Sequence, residues 1–120
     1  MQNTYTKQVC GIQIQCNVVQ MGNDYTISIW DNTAGHIGCA VLSLARPSLT
    51  ETGISVTSSV LNRTGHKDDI IALKFAEAVA KKSGTCAVCT CGIHMDNITA
   101  EQIQEILAAC DELLQSVIST

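Results

Sequence analysis

The chain has 120 residues, of which 46% are hydrophobic, and a formal net charge of −4 at neutral pH. Residues 1–120 suffice for a single domain, which buries about two-thirds of the surface of its unfolded chain. An acidic chain lacks the basic stripes that nucleic-acid backbones require. No apolar stretch approaches the roughly 18 residues that span a bilayer, and residues 1–9 contain no apolar signal region. We therefore expect a cytoplasmic protein that binds neither nucleic acid nor membrane.

The first half of the chain has the period-two pattern of a sheet. Strands are predicted at residues 10–18, 25–31, 39–44 and 54–61. The first two are joined by the turn Met21-Gly22-Asn23-Asp24, so they are expected to form a β-hairpin. The only proline, Pro47, lies in the loop between the last two.

The second half of the chain changes to helical spacing. Apolar residues recur every three or four positions after Asp69, and Gly84 is suited to a C-cap, so a helix is predicted over about 67–83. A short strand follows at 85–91. Thr99 and Gln102 then have the spacing of a capping box, which predicts a second helix. The order ββββαβα indicates an α+β fold: a mostly antiparallel sheet with two packed helices.

All three histidines lie in loops beside or near a glycine. His36 precedes the third predicted strand, His66 precedes the first helix and His94 follows the fifth strand. Loops on a rigid scaffold commonly carry binding residues. The alternative is that the glycines serve turns and the histidines are ordinary polar loop residues. The pattern by itself favours neither.

The segment 62–69 has the composition of an anion site. It places basic residues at the start of a helix, where backbone N–H groups and the helix dipole attract phosphate. Arg46 would add a guanidinium that matches phosphate geometry. The alternative is that Asp68 and Asp69 already satisfy the dipole and the basic side chains are solvated. The candidate cofactor-binding residues are Arg63, Gly65, His66, Lys67, Arg46, His36 and His94.

The seven cysteines are expected to be reduced and mostly structural. On a strand, Cys89 and Cys91 face one way and Cys86 the other, so these three do not form one tetrahedral metal site. The three histidines offer an alternative zinc site, although their spacing matches no metal motif. The serines lack a nucleophile elbow, so no catalytic residue is assigned.

Five short motifs occur in a fixed order between residues 25 and 115. They are HIG at 36–38, ARPSL at 45–49, TSSVL at 57–61, GHKDD at 65–69 and GIHMDNIT at 92–99. In this order they resemble the prenylated-flavin chaperone domain family, the small D subunits associated with gallate and 4-hydroxybenzoate decarboxylases. The fold of that family is similar to that of the eukaryotic proteasome assembly chaperones three and four, which dimerise.

The resemblance implies a non-catalytic accessory protein that carries prenylated FMN, or FMN, to a separate aromatic-acid decarboxylase. It also implies a homodimer, in which association covers a sheet edge or an apolar helix face. Two alternatives remain open at this point. One is a protein-assembly chaperone that acts through a dimeric apolar surface without a small ligand. The other is a metal-dependent enzyme that uses the three loop histidines.

Overall fold

A computed structural model describes residues 2–50, 52–63 and 68–119. Within these ranges the chain forms a sheet of six strands and two helices. The elements are β1 (Gln2–Val9), β2 (Ile12–Met21), β3 (Asp24–Asp31), β4 (Cys39–Pro47), β5 (Ile54–Asn62), α1 (Asp69–Ser83), β6 (Cys86–Gly92) and α2 (Ala100–Ile118).

The sheet has the strand order β1-β2-β3-β6-β4-β5. β6 is the last strand in the chain, yet it lies between β3 and β4. It pairs in parallel with β3 and antiparallel with β4, and the remaining pairs are antiparallel. The expected α+β fold, with a mostly antiparallel sheet and two helices, is therefore confirmed.

The two faces of the sheet differ in what covers them. α1 packs mainly on β4, β6 and β5, and α2 packs on β1. In β2, β3, β4 and β6 most of the strand residues that point to this face are buried, because side chains alternate between the two faces along a strand. The opposite face, which we call the open face, carries no helix in the described part of the chain. Strand residues of the buried face include Ile14, Cys16, Ile27, Ile29, Val41 and Cys89.

The first strand, β1, was not predicted. Its inward positions include Asn3 and Lys7, so the sequence lacks the apolar alternation that marks a half-buried strand. The turn that joins β1 to β2 has positive φ at Cys10 (51°) and Gly11 (76°). Cysteine is uncommon at such a position, so the turn carries no strong sequence signal. The element order is therefore βββββαβα.

The helix ends follow the sequence signals closely. α1 begins at Asp69, two residues later than predicted, and Gly84 ends it with a φ of 72°. α2 begins after Thr99, and Thr99 and Gln102 form the expected capping box with both reciprocal hydrogen bonds. Neither described helix is long and apolar enough to cross a bilayer.

Candidate ligand-binding site

One end of the sheet gathers most of the loops that the sequence singled out. β3, β5 and β6 end there and β4 begins there, because β4 is antiparallel to both of its neighbours. Residues 32–38 and 93–99 form adjacent loops at this end, and α1 begins beside them. His36, Arg63 and His94 therefore lie at the same end of the molecule.

Two glycines allow these loops to pack closely. A Cβ atom on Gly92 would overlap the backbone carbonyl of His36. A Cβ atom on Gly35 would lie 2.8 Å from Cδ1 of Trp30, closer than real Cβ contacts. The loop that carries His36 consequently rests on the end of β6 and against the indole ring, and only glycine fits at these two positions.

The side chain of Asp31, at the end of β3, accepts hydrogen bonds from both loops. Its side chain is only 1% exposed. Oδ1 accepts hydrogen bonds from the N–H (3.0 Å) and hydroxyl (2.9 Å) of Thr33 and from the N–H of Ala34 (2.6 Å), while Oδ2 accepts one from the N–H of His94 (2.9 Å). Burial alone would raise the pKa of this carboxyl, but the bonds from His94, Ala34 and Thr33 outweigh it and lower the pKa below the ordinary aspartate value.

Asp68 makes a second connection between the loops. It occupies the N-cap position of α1, yet its Oδ1 accepts a hydrogen bond from the N–H of Ile93 at 3.1 Å. Its Oδ2 lies 3.8 Å from Nε2 of His36. The carboxylate also occupies the space above Gly38, where a Cβ atom would overlap it. The negative charge of Asp68 is thus directed toward the 32–38 and 93–99 loops.

Arg63 lies at the end of β5, next to the same loop. Its backbone N–H donates to the carbonyl of Gly38 at 2.9 Å, and its guanidinium Nη1 donates to the carbonyl of Ile37 at 3.1 Å. The side chain is exposed. A guanidinium has five N–H donors, so an accessible arginine held in this way presents a cation at the rim of the site.

A cleft of about 290 Å³ opens on the open face beside these loops. The only tryptophan of the chain, Trp30, forms one wall, and His36 and Ile37 form the rim. Hydroxyl side chains of Ser28 and Thr90, which are paired across β3 and β6, line the floor. The cleft thus combines a ring for stacking, hydroxyl groups and a nearby cation.

His94 borders the site less closely than His36. Its backbone is held by Asp31, while its ring Nε2 lies 2.8 Å from Oδ1 of Asp96 in the exposed loop after β6. The cleft is lined by His36 and not by the His94 ring.

Arg46, the other arginine among the predicted site residues, lies far from this cleft. It pairs with Ser55 on β5, whereas Cys39 at the other end of β4 pairs with Asn62. Seven strand residues separate these positions, or about 23 Å at roughly 3.3 Å per residue. Arg46 Nε instead donates to Thr57 Oγ1 at 2.6 Å. The remaining candidates, Gly65, His66 and Lys67, lie outside the described residues.

The cysteines of β6 alternate as predicted. Cys89 and Cys91 are buried on the helix-covered face, and Cys86 is half-buried on the other. Burial raises the pKa of the Cys89 and Cys91 thiols well above the ordinary value. Among the described residues, no three histidine, cysteine or acidic side chains are arranged to hold a metal ion.

The sequence from β2 to the end of α2 matches a known protein family. The model of the prenylated flavin chaperone LpdD-like domain matches residues 8–120. The chain belongs to this family. The match spans every element from β2 to α2 and both loops of the candidate site. The chaperone description of the family agrees with the accessory role that the sequence motifs imply.

Individual similarities support the family and the fold. This LpdD-like chain is 29% identical over 119 residues to protein LpdD of Lactiplantibacillus plantarum, covering 97% of this chain and 82% of that protein. Its structure resembles a chain from the crystal structure of a chaperone complex for yeast 20S proteasome assembly, with a TM-score of 0.53. That likeness covers 95% of this chain and 98% of the other at 7% identity, so it shows the fold alone.

Sequence reasoning missed the two buried aspartates that hold this LpdD-like site together. Asp31 lies within a predicted strand, and the position of Asp68 in the sequence predicts only an interaction with the helix dipole. A carboxylate at a strand end followed by Asn-Thr-Ala-Gly is a turn signal, since aspartate bonds to backbone N–H groups two or three residues ahead. The long-range bond from His94 to Asp31 has no such local signal, because 63 residues separate the partners.

Proposed function

We propose that this LpdD-like protein is a non-catalytic chaperone that binds prenylated FMN, or FMN, and delivers it to a separate aromatic-acid decarboxylase. The observation that carries the proposal is the shared position of Trp30 and Arg63. The indole ring packs at Gly35, and the guanidinium bonds to the carbonyl of Ile37, two residues further along the same loop. Trp30 and Arg63 therefore contact the same short loop, so that the planar ring and the phosphate of one ligand could reach both side chains.

The cleft beside Trp30 suits the flavin ring and not the whole cofactor. Ligand pockets commonly measure about 300–1,000 Å³, so a cleft of about 290 Å³ is at the lower limit. The ring would stack on the indole, with the hydroxyl groups of Ser28 and Thr90 available for its polar edge. The ribityl phosphate would extend across the rim toward Arg63 and the start of α1.

The start of α1 supports phosphate binding through its position. Asp68 directs its carboxylate to Ile93 and His36, so that its charge is partly engaged by the loops. Arg63 and Lys67 flank the segment that enters the helix, and Lys67 lies outside the described residues. Helix N-termini and arginine together are a common phosphate site.

A homodimer through the open face forms part of the proposal. Three leucines lie exposed there: Leu42 and Leu44 on β4 are 50% and 54% exposed, and Leu61 on β5 is 76% exposed. Adjacent apolar side chains of this size commonly mark an interface. Because the cleft opens on the same face, a second copy would cover the bound ring. Light scattering tests this: a dimer is expected, and a monomer of about 13 kDa at micromolar concentration, the mass of one such chain, would contradict it.

Titration with FMN and with prenylated FMN tests the cofactor proposal directly. Because Trp30 is the only tryptophan, its fluorescence reports on the cleft without interference from other indoles. Saturable quenching of this emission is expected on flavin binding. A titration without quenching, and without change in flavin anisotropy, would contradict flavin binding.

Two arginines provide a matched pair for the phosphate. Charge-assisted bonds contribute about 1.5–3 kcal/mol each, so Arg63→Ala is expected to weaken flavin binding by about tenfold to a hundredfold. Lys67→Ala is expected to weaken it similarly. Arg46→Ala removes the same side chain at the far end of β4 and should leave the affinity unchanged. Equal affinities for the Arg63 and Arg46 variants would place the phosphate elsewhere.

The exposed leucines also favour a second candidate function, a protein-assembly chaperone without a small ligand. An apolar surface that binds a client protein needs no cation at Arg63. The titrations separate the two functions. If the parent protein binds neither flavin while Leu42→Asp and Leu61→Asp abolish binding to the decarboxylase, the assembly role is the better explanation.

A further inference from the structure

A second cleft lies at the opposite end of the molecule, where both helices end. Its volume is about 190 Å³, and it opens between the helices and the first three strands. The floor is Val18 on β2, and the walls are Val79 on α1 and Val117 on α2. The flavin site proposed above lies at the other end of the sheet, so this cleft is separate from it.

Both tyrosines of the chain lie in this cleft. The sequence contains two tyrosines, and both Tyr5 on β1 and Tyr25 on β3 line this one cleft. They lie diagonally across Val18, since Tyr5 pairs with Cys16 and Tyr25 with Gln20 on the strand between them. Tyrosine combines a flat apolar ring with a polar hydroxyl, which suits a ligand that has both kinds of group.

The rim of the cleft carries a lysine. Among the lining residues that the structure describes, Lys82 alone is charged, and Asn3 and Ser83 carry neutral polar groups. The C-terminal end of a helix ordinarily favours a cation. Lys82 lies in the last turn of α1, where the helix dipole favours a positive side chain. Lys82 therefore gives the rim its charge.

We propose that this cleft binds a small carboxylic acid whose apolar body is about the size of one aromatic ring. An apolar cavity of about 150 Å³ suffices for benzene, so a cleft of about 190 Å³ accommodates one substituted ring. The valines and tyrosines enclose the ring, and the carboxylate faces Lys82 at the rim. Inorganic phosphate has no apolar body to pack against these valine and tyrosine walls, and a nucleotide is larger than the cleft.

Benzoate is the probe that tests the site, with binding followed by NMR of the labelled full-length protein. Saturable shifts in the millimolar range are expected at residues of the cleft, including Val117 and Tyr25. Cyclohexanecarboxylate keeps the carboxylate and lacks the aromatic ring, so it tests whether the ring contributes to binding. Benzyl alcohol keeps the ring and lacks the carboxylate, so it tests whether the negative charge contributes. Benzoate should bind more tightly than either. An absence of saturable shifts at the cleft, or shifts confined to other parts of the protein, would overturn the proposal.

Two adjacent lysines provide the matched control. Lys82→Gln removes the cation at the rim and is expected to weaken benzoate binding by about three- to fivefold, as for an exposed ion pair. Lys81→Gln makes the same change on the side of α1 that faces β5, where Lys81 lines a different depression with Ser55 and Glu77, and should have no effect.

Val117→Phe should fill the cleft and abolish binding without unfolding the half-buried end of α2. Equal affinities for the two lysine variants, or unchanged binding by Val117→Phe, would contradict the assignment. Flavin titration of the same variants should be unaffected, so failure here leaves the flavin proposal intact.

Discussion

Asp31→Asn is expected to destabilise the protein by about 2–4 kcal/mol at neutral pH. Asparagine has one acceptor oxygen in place of two. If that oxygen keeps the bonds from Thr33 and Ala34, the amide NH₂ faces the N–H of His94 and leaves it unsatisfied, at a cost of about 1–3 kcal/mol. The three remaining bonds lose their charge assistance, and the smaller desolvation cost of a neutral side chain offsets part of that loss.

The pH dependence of this difference follows from the lowered pKa of Asp31. A carboxyl whose pKa is lower in the folded protein stabilises it fully above its ordinary value of 3.8, and this contribution is lost as the pH falls through the folded-state pKa. The stability difference between parent and variant should therefore be constant near neutral pH and shrink below pH 3.8.

Urea denaturation monitored by circular dichroism measures both effects. Asp96→Asn is the matched control, because the Asp96 side chain is 90% exposed and bonds to the ring of His94. It should change the free energy of unfolding by less than about 1 kcal/mol. The reasoning is refuted if Asp31→Asn is as stable as Asp96→Asn, or if its destabilisation persists unchanged in acid.

Three further predictions concern packing, capping and thiol chemistry. Gly92→Ala places a Cβ on the carbonyl of His36 and should lower the unfolding free energy by about 2 kcal/mol or more in urea titrations; wild-type stability would show that the loop can move. Thr99→Ala removes the cap of α2 and should cost about 0.5–2 kcal/mol in thermal unfolding, whereas an unchanged midpoint would discount the cap. In the folded protein, a thiol reagent should modify Cys86 first and Cys10 more slowly, because hydrogen bonding to a carboxylate raises the pKa of Cys10. Burial raises the pKa of the Cys16 and Cys110 thiols to about 12, so rapid labelling of all seven cysteines would contradict the core.

Local signals in the sequence predicted most of the elements. Gly84 and the capping box at Thr99 mark helix ends because each satisfies backbone groups within a few residues of itself. The sequence did not predict β1, because it is an edge strand whose half-exposed side chains need no regular apolar alternation. The sequence also did not predict that β6 lies in the middle of the sheet, since its pairing with β3 joins residues far apart in the chain.

The candidate site was predictable only in part for the same reason. His36 and Arg63 come together because β4 begins where β5 ends, which follows from a simple antiparallel pair. The same pairing places Arg46 at the distant end of the strand. Asp68 was expected to act on the helix dipole, but its bond to Ile93 depends on the insertion of β6, which no local pattern encodes.

The position of β6 has a consequence for how the chain folds. β1 to β3 form a meander of neighbouring hairpins, and β4 pairs with β5, so each half of the sheet consists of contacts between consecutive strands. In the described sheet, β6 provides the strand pairing between the two halves, and its Ala87 pairs with Tyr25 across about half of the chain length. Until β6 is in place, β3 and β4 each present an unpaired edge. Closing the sheet requires a large loss of chain entropy, so β6 insertion is expected to limit the folding rate. A nascent chain that has emerged only as far as α1 therefore exposes both edges to aggregation.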